Sequence, residues 1–192
     1  PNKDVQNFAL PWKGGTDVLR GACPDVHGGT NFWPPAYSQR TRLLYVGGNE
    51  GCANITPDPT AHVKGKFGGG NYMNEERITG SLSIVDPLNG ELKVRKELPY
   101  GNHAGVLATA GGIVVTALLD GTIVAYDDQT LEELWKINVG SGFVAPPMTY
   151  MVDGKQYIAI ASGIGVVGRA KLARSPEMRN LANATMLFVF GL

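Results

Sequence analysis

The chain has 192 residues, enough to bury a hydrophobic core, and its 43% hydrophobic and 18% charged residues are typical of a globular protein rather than a disordered one. Seventeen Lys and Arg residues balance seventeen Asp and Glu residues, so no net positive charge would attract nucleic acid. The 26 glycines and 12 prolines favour an all-β protein with many turns, and no apolar run approaches the roughly 20 residues that a transmembrane helix needs.

The N-terminal residues give few signs of regular structure. Residues 1–22 show no sustained periodicity, and we interpret them as an irregular lead-in. The glycine- and proline-rich sequence CPDVHGGTNFWPP at residues 23–35 predicts a tight polar loop. The chain starts at Pro1 without an initiating Met or a charged-then-apolar leader. Such a start is expected of a processed product, an engineered product or a fragment, and we favour a fragment.

Two cysteines and three histidines are the residues most suited to chemistry in the chain. Cys23 and Cys52 both lie in predicted loops that flank the first hairpin. They could form a disulfide, which would fit an oxidising compartment, or remain as two free buried thiols. His27, His62 and His103 have no partners at a recognisable spacing, so neither a zinc site nor a nucleophilic hydrolase is indicated.

A first blade of β-structure is predicted near residues 36–98. Residues 36–38 and 42–46 form its first hairpin, and the blade resumes with the sequence GSLSIVDPLNGELKV. Residues 47–79 interrupt it with a long glycine-rich insertion of little periodicity. Such an insertion is uncommon in a compact domain unless it is functional or disordered.

The central stretch, GVLATAGGIVVTALLDGTIVAYDDQTLEELW, predicts a complete four-stranded antiparallel blade near residues 106–139. Gly111-Gly112 and Asp120-Gly121 supply the positive φ angles that tight hairpins need. Its β-branched and apolar runs are typical of strands that are covered on both faces. The strands are predicted at residues 106–109, 113–119, 122–126 and 134–139.

Part of this blade recurs upstream. Gly80 and Asp86 each precede their counterparts, Gly121 and Asp127, by 41 residues. A repeat of roughly 40 to 45 residues made of four short strands is the mark of a β-propeller. The alternative is that two hairpin-rich segments resemble each other by chance.

A third blade is predicted near residues 146–190. Residues 163–184 form a long connection within it, and its basic residues indicate a solvated loop or, less well supported, a docking surface. These basic residues are Arg169, Lys171, Arg174 and Arg179. Closed propellers typically have four to eight blades. We therefore expect residues 1–192 to be a portion of one propeller, and to associate or dissolve poorly without its remainder.

The central blade and the following sequence GSGFVAPPMTYMVDGKQYIAIASG resemble pyrroloquinoline quinone (PQQ) dependent alcohol dehydrogenases. The shared features are the ATAGG turn, the LDG hairpin, the docking repeat A-x-D-x-x-T-G-K-E-x-W and the PP-x-TY-x-x-DGxQY segment. The docking repeat is matched at Ala125, Asp127, Thr130, Glu133 and Trp135. Leu131 departs from the repeat at its glycine, and Val94 stands at the tryptophan position of the upstream copy. The resemblance covers nearly the whole chain from Cys23 onward.

The resemblance implies a fold, an activity and a compartment. The family's fold is an eight-bladed propeller with PQQ on its axis and a calcium or lanthanide ion beside the quinone. Its members oxidise an alcohol to an aldehyde or ketone and pass electrons to a cytochrome c or a membrane quinone. The family's catalytic Asp, metal ligands and adjacent-cysteine disulfide correspond to sequence upstream of this chain, which we therefore do not expect to catalyse alone. A periplasmic or secreted location follows.

The resemblance also implies site residues. Asn31 lies eight residues after Cys23, as does a cofactor-binding asparagine of the family. His103 stands where methanol-oxidising members carry a tryptophan under the quinone, and residues 162–165 match a segment at the cofactor rim. The cofactor-binding prediction is thus Asn31, His103, Gly163, Ile164 and Gly165, and the family's matching pair predicts a Cys23 to Cys52 disulfide. Trp33 and Trp135 are interpreted as packing residues.

Two other functions remain open at this point. One is a non-enzymatic propeller scaffold of the kind that helps to assemble outer-membrane proteins, which has similar blade repeats and no use for a quinone. The Asn31 loop and residues 162–165 favour the enzyme. The other is a sugar-oxidising relative, which differs only in substrate.

Overall fold

The computed structural model describes residues 18–26, 28–57, 70–74 and 77–191. Residues 1–17, His27 and His62 lie outside the described residues, so the predictions made for them have no structural counterpart here. The strands are β1 (Leu19–Ala22), β2 (Ala36–Ser38), β3 (Leu43–Glu50), β4 (Ala53–Pro57), β5 (Gly70–Asn74), β6 (Thr79–Val85), β7 (Leu92–Leu98), β8 (Val106–Ala108), β9 (Ile113–Ala117), β10 (Thr122–Asp127), β11 (Glu133–Asn138), β12 (Met148–Val152), β13 (Lys155–Ala161) and β14 (Leu187–Gly191). A helix, α1 (Gly165–Lys171), and a 3₁₀ turn, Pro176–Met178, precede β14.

The strands form four separate antiparallel sheets. Three of them fall at the predicted blades, with the strand orders β2-β3-β6-β7, β8-β9-β10-β11 and β12-β13-β14. We refer to them as the first, central and third sheets. The fourth sheet has the order β1-β4-β5. The predicted all-β class of antiparallel propeller blades is confirmed.

The core lies between the sheets rather than within any one of them. β9 and β10 of the central sheet are buried along most of their length. One cluster of buried side chains joins the central sheet to the first sheet through Tyr45, Leu82 and Ile84. A second cluster joins it to the third sheet through Ile158 and Ile160. The central sheet is thus covered on both faces, as its continuous apolar runs predict.

The repeated turn motif has the same local geometry in both copies. The Asp127 carboxylate accepts hydrogen bonds from the N–H groups of Gln129 and Thr130, each at 2.9 Å. In the upstream copy the Asp86 carboxylate accepts one from Leu88, also at 2.9 Å. These are local side-chain to backbone bonds of the kind that aspartate makes in turns. The repeat inferred from the sequence therefore corresponds to a repeated turn in the structure.

The lead-in and the insertion contain regular structure that the sequence analysis missed. Leu19 in β1 is paired with Ile55 in β4, and β4 is paired with β5 inside the insertion. The Asn54 side chain accepts a hydrogen bond from the Gly21 N–H at 3.1 Å. The prediction of an irregular lead-in through residue 22 was wrong for β1, because its pairing partners are too distant in sequence to leave a local pattern.

The connection at residues 163–184 also differs from the prediction. It contains α1 and the 3₁₀ turn rather than an irregular loop, and the third sheet has three strands where a complete blade has four. Leu172, directly after α1, packs in the core, and the prediction of a solvated basic loop is wrong for the buried Lys171. Arg169 is exposed, as predicted. None of the helices in the described residues is long and apolar enough to cross a membrane.

Trp135 of the central sheet contacts the third sheet. Its ring lies 5.5 Å from that of Phe190 in an edge-to-face arrangement. The two rings border a cavity of about 340 Å³ between the sheets, which is lined mainly by apolar side chains such as Val115, Ile123 and Ile158. Trp135 therefore packs one sheet against the next, in agreement with its interpretation as a packing residue.

Candidate functional site

Four polar or aromatic side chains gather where the loops that precede β2 and β8 meet the end of β3. They are Trp33, Asn49, Asn102 and His103, and we call them the polar cluster. Each is at most 4% exposed to solvent. They come from three parts of the chain that are far apart in sequence, so only the fold brings them together.

Trp33 and His103 form the aromatic part of the cluster. Their ring centroids are 4.1 Å apart with an angle of 45° between the ring planes. The loop of Trp33 is held against β8 by a hydrogen bond of 2.9 Å from the Val106 N–H to the Pro34 carbonyl. Sequence analysis singled out His103 but assigned Trp33 to packing. No local signal connects Trp33 to His103, because the contact depends on how the two loops are packed.

Asn49 lies on the face of β3 that points toward His103. Its N–H donates to the Gly29 carbonyl at 2.7 Å, which ties β3 to the loop of Asn31. Its side-chain oxygen lies beside Gly101, at a place where a Cβ on that residue would collide with it. Neither the oxygen nor the nitrogen of the carboxamide has a hydrogen-bond partner among the described residues. Glycine at position 101 thus makes room for a buried amide that is free to bind another group.

The Asn102 side chain fills the space over Gly47. A Cβ added to Gly47 would lie 2.7 Å from Asn102 Cγ. Thr116 Oγ1 lies 3.2 Å from the Asn102 side-chain oxygen and 2.6 Å from the Gly105 carbonyl, so its one hydroxyl hydrogen serves two acceptors. The Asn102 Nδ2 group has no hydrogen-bond partner within the described part of the chain, nor has Trp33 Nε1.

Buried polar atoms without hydrogen-bond partners among the described residues distinguish this cluster. Leaving a buried polar atom without a partner costs roughly 1 to 3 kcal/mol, and such groups in native proteins usually bind water, an ion or a ligand. Asn49 and Asn102 together offer donors and an acceptor, and Trp33 adds a donor. The arrangement suits a polar molecule that has carbonyl or carboxylate oxygens.

Asn31 lies two residues before Trp33, at the exposed edge of this region. Its side-chain oxygen accepts a hydrogen bond from the Phe32 N–H at 2.8 Å. The loop is tightened by a 2.8 Å hydrogen bond from the Gly28 N–H to the Asp25 carbonyl. Asn31 is therefore next to the polar cluster along the chain but is not itself buried.

The segment of residues 162–165 is held by the protein on both sides. The Gly163 N–H donates to the Gly142 carbonyl at 2.7 Å, and the Ile164 N–H donates to the Asn183 side chain at 2.9 Å. The Ile164 side chain is 1% exposed and packs in the core. The N–H groups of Gly163 and Ile164 and the Ile164 side chain are thus engaged within the protein, whereas an added Cβ on Gly165 would meet nothing within 4 Å.

The structure contains the predicted disulfide. Cys23 and Cys52 are bonded to each other, with their Cα atoms 4.4 Å apart. The bond joins the loop that carries Asn31 and Trp33 to the start of β4. It therefore anchors the loop at the end opposite to β2.

No group of three or more His, Cys, Asp or Glu side chains with the arrangement of a metal site occurs among the residues that the structure describes. The polar cluster itself offers amide and aromatic ring groups rather than carboxylates. Such groups can form hydrogen bonds with a polar molecule and pack against a planar one.

Comparison with known proteins connects this chain to one family. Residues 74–158 match the family described as PQQ: glucose/ethanol/alcohol dehydrogenase, β-propeller domain. The quinoprotein ethanol dehydrogenase of Pseudomonas aeruginosa is 38% identical over 148 residues, which make up 74% of this chain and 23% of that protein. Methanol dehydrogenase (cytochrome c) subunit 1 of Paracoccus denitrificans is 32% identical over 155 residues, or 76% of this chain and 25% of that protein.

A solved structure gives the same answer for the fold. The europium-containing methanol dehydrogenase superimposes with a TM-score of 0.81 at 25% identity, covering 92% of this chain and 35% of that one. The chain spans about a quarter of the length of the curated relatives it matches.

Proposed function

The chain belongs to the PQQ-dependent alcohol dehydrogenase family, and we propose that it is the C-terminal portion of a propeller that oxidises an alcohol to an aldehyde or ketone. The observation that carries this proposal is the polar cluster, in which Asn49 and Asn102 keep buried amide atoms without partners among the described residues. A quinone bearing carbonyl and carboxylate groups would satisfy such atoms. When bound, PQQ supplies the two-electron oxidising capacity that the amino-acid side chains lack.

The aromatic residues of the polar cluster are proposed to support this planar cofactor. The Trp33 and His103 rings pack against each other and are buried, so they would form a rigid backing for the site. Rigid aromatic side chains bind planar molecules with little loss of conformational freedom. The amides of Asn49 and Asn102 would hold polar atoms at the ring edge, and the surrounding buried residues would exclude water.

Asn31 would bind the cofactor from the exposed side of the same loop. Its carboxamide can donate and accept hydrogen bonds, and its oxygen accepts one from the Phe32 N–H at 2.8 Å. Gly163 and Gly165 would allow the backbone to approach the ring closely, since neither carries a Cβ. For Ile164 we propose a supporting role only, because its N–H and side chain are engaged elsewhere.

The remaining components of the enzyme are proposed from the family. Calcium or a lanthanide ion would accompany PQQ, with its ligands supplied by the N-terminal remainder of the propeller. The electron acceptor would be a cytochrome c or a quinone. A periplasmic or secreted location is supported by the disulfide between Cys23 and Cys52, since such bonds persist in oxidising compartments.

An absorbance spectrum of the full-length protein can distinguish the proposed enzyme from the scaffold alternative. Bound PQQ adds a near-ultraviolet band to the protein spectrum, whereas a scaffold has no such chromophore. We expect this band, and alcohol-dependent dye reduction, after the full-length protein has been incubated with PQQ and calcium or a lanthanide. A full-length protein that folds but acquires no band at any PQQ concentration would support the scaffold.

Asn31→Ala in the full-length enzyme tests the site itself. Loss of about one hydrogen bond to a polar cofactor should weaken PQQ binding roughly 5- to 150-fold, with little change in melting temperature. Asn89→Ala is the matched control, because the Asn89 side chain also accepts a backbone hydrogen bond in an exposed turn, at 2.8 Å from Glu91 N. Equal PQQ affinity in the two variants, or a fall in melting temperature that accounts for the affinity loss, would remove Asn31 from the site.

A further inference from the structure

A buried ion pair connects the end of α1 to the loop of Asn31. Lys171 Nζ contacts the Asp25 carboxylate, and the two side chains are 0% and 3% exposed. Burial lowers the pKa of Lys171 to about 8, so the amine remains largely protonated at neutral pH. The two charged groups are thus shielded from water and lie against each other.

Each member of the pair is attached to one side of the proposed cofactor site. Asp25 lies two residues after Cys23, and its carbonyl accepts the Gly28 N–H at 2.8 Å in the loop that leads to Asn31 and Trp33. Lys171 is the last residue of α1, the helix that begins at Gly165, which is also the last residue of the proposed rim segment. The pair therefore joins two segments that the proposed function assigns to the cofactor site.

The helix has little freedom to move around this contact. Leu172 and Ile164 pack in the core at its two ends. Within α1, an added Cβ on Gly168 would lie only 3.1 Å from the Leu119 side chain of the central sheet. Because α1 is fixed in this way, Lys171 holds a defined position and can fix the position of Asp25.

Stability alone does not account for a pair of this kind. Removing two charges from water is costly, and replacing a buried ion pair by uncharged side chains is often neutral or stabilising. A directional contact between two charges does fix the distance and orientation of the segments that carry them. We therefore expect the pair to fix the relative position of the two segments rather than to raise the unfolding free energy.

We propose that the Asp25 to Lys171 ion pair is a positioning clasp, which fixes the loop of Asn31 and Trp33 relative to residues 162–165 before any cofactor binds. The inference rests on the proposed function, since it assigns the clasp to the two sides of the PQQ site. Asp25 and Lys171 are positioning residues, because they act on the cofactor through Asn31, Trp33 and the rim segment.

The test uses the full-length protein with Lys171→Met and with the double variant Asp25→Asn, Lys171→Met. The single change leaves a buried carboxylate without its cation, so it should lower stability, and the double change should restore most of that loss. The double variant still lacks the directional contact between the two charges. If the pair is a clasp, the loop should therefore remain poorly positioned even where stability is restored. Arg169→Met is the control, because Arg169 is an exposed basic residue of the same helix.

Two measurements are needed. The first is hydrogen exchange of the Gly28, Thr30 and Phe32 amides without cofactor, and the second is the dissociation constant of PQQ. We expect faster exchange in both Lys171 variants, and PQQ binding weakened about tenfold in the double variant, equivalent to roughly one hydrogen bond of Asn31. Arg169→Met should match the wild type in both measurements.

The outcomes separate the two proposals. If the double variant recovers wild-type exchange and wild-type PQQ affinity together with stability, the pair is a structural feature only and the clasp is wrong. Unchanged loop exchange in Lys171→Met would be equally decisive against it. If the wild-type protein binds no PQQ, the proposed function fails, while the exchange of the cofactor-free protein still decides whether the pair positions the loop.

Discussion

Arg40, in the turn between β2 and β3, forms an ion pair with Asp128, a fully buried residue in the turn between β10 and β11. The Asp128 carbonyl also accepts a hydrogen bond from the Tyr45 hydroxyl at 2.8 Å. Asp128 belongs to the central sheet and thus binds two side chains of the first sheet, Arg40 and Tyr45. The contact joins consecutive blades, the first of which carries Val94 in place of the tryptophan of the docking repeat.

The first prediction concerns this contact. Arg40→Met should destabilise the protein, because it leaves the buried Asp128 carboxylate without its cationic partner, although the solvation of Arg40 limits the loss. Urea unfolding measures the effect. Arg42→Met, which removes an exposed arginine from the same turn, is the control. Equal stability of the two variants would show that the Arg40 to Asp128 pair contributes nothing.

The second prediction concerns Leu131, which occupies the glycine position of the docking repeat with a φ of +56°. Leu131→Gly should relieve roughly 1 to 2 kcal/mol of backbone strain but lose about 2 to 5 kcal/mol of packing, since the side chain is 1% exposed. A net loss of stability is therefore expected in thermal or urea unfolding. A stabilised variant would mean that backbone strain outweighs packing at this position.

The equivalent residue upstream, Gly90, gives the matched comparison. Its φ is +76°, and an added Cβ would meet nothing within 4 Å. Gly90→Ala should therefore cost only the backbone strain, roughly 1 to 2 kcal/mol. A much larger loss in urea unfolding would contradict the open surroundings of this turn.

The third prediction concerns the disulfide. The double variant Cys23→Ser, Cys52→Ser should lose about 3 to 4 kcal/mol of stability in the chain-entropy description, because the bond closes a loop between residues 29 apart. Unfolding in the presence and absence of reductant should give the same loss for the wild type. Ready alkylation of both thiols in the folded, unreduced wild type would contradict the bond.

The fourth prediction is a loss of stability in alkali. Burial raises the pKa of Tyr126 to about 12, whereas an unfolded tyrosine titrates near 10. Between these values the unfolded state has lost a proton that the folded state keeps, so the unfolding free energy falls as the pH rises from about 10 to about 12. Tyr126→Phe should reduce the slope of unfolding free energy against pH in this window.

Tyr37→Phe is the control for that measurement, because Tyr37 is 53% exposed. A residual slope is expected in Tyr126→Phe, since burial also raises the pKa values of Tyr45 and Tyr100. A slope in Tyr126→Phe that equals the wild-type slope would show that Tyr126 ionises without cost to the fold.

Much of the fold could be predicted because its signals are local. The Asp120-Gly121 hairpin and the turn at Asp127 are determined by residues next to one another, through the positive φ of Gly121, which Asp120 does not share, and through short side-chain hydrogen bonds. The repeat of 41 residues follows from the same turns occurring twice. The apolar runs of β9 and β10 likewise required a sheet covered on both faces, which is how the structure packs them.

The site depended on contacts between segments that are distant in the chain. Asn31 and His103 could be singled out by resemblance, but nothing near Trp33, Asn49 or Asn102 in the sequence indicates that they are neighbours. Lys171 had the pattern of a solvated loop residue and is buried against Asp25. A side chain's partners across 50 or more residues are decided by how sheets and loops pack, and that packing is a property of the whole fold. The sequence by itself determined the blades and their turns, while only the tertiary structure decided which polar groups were buried together.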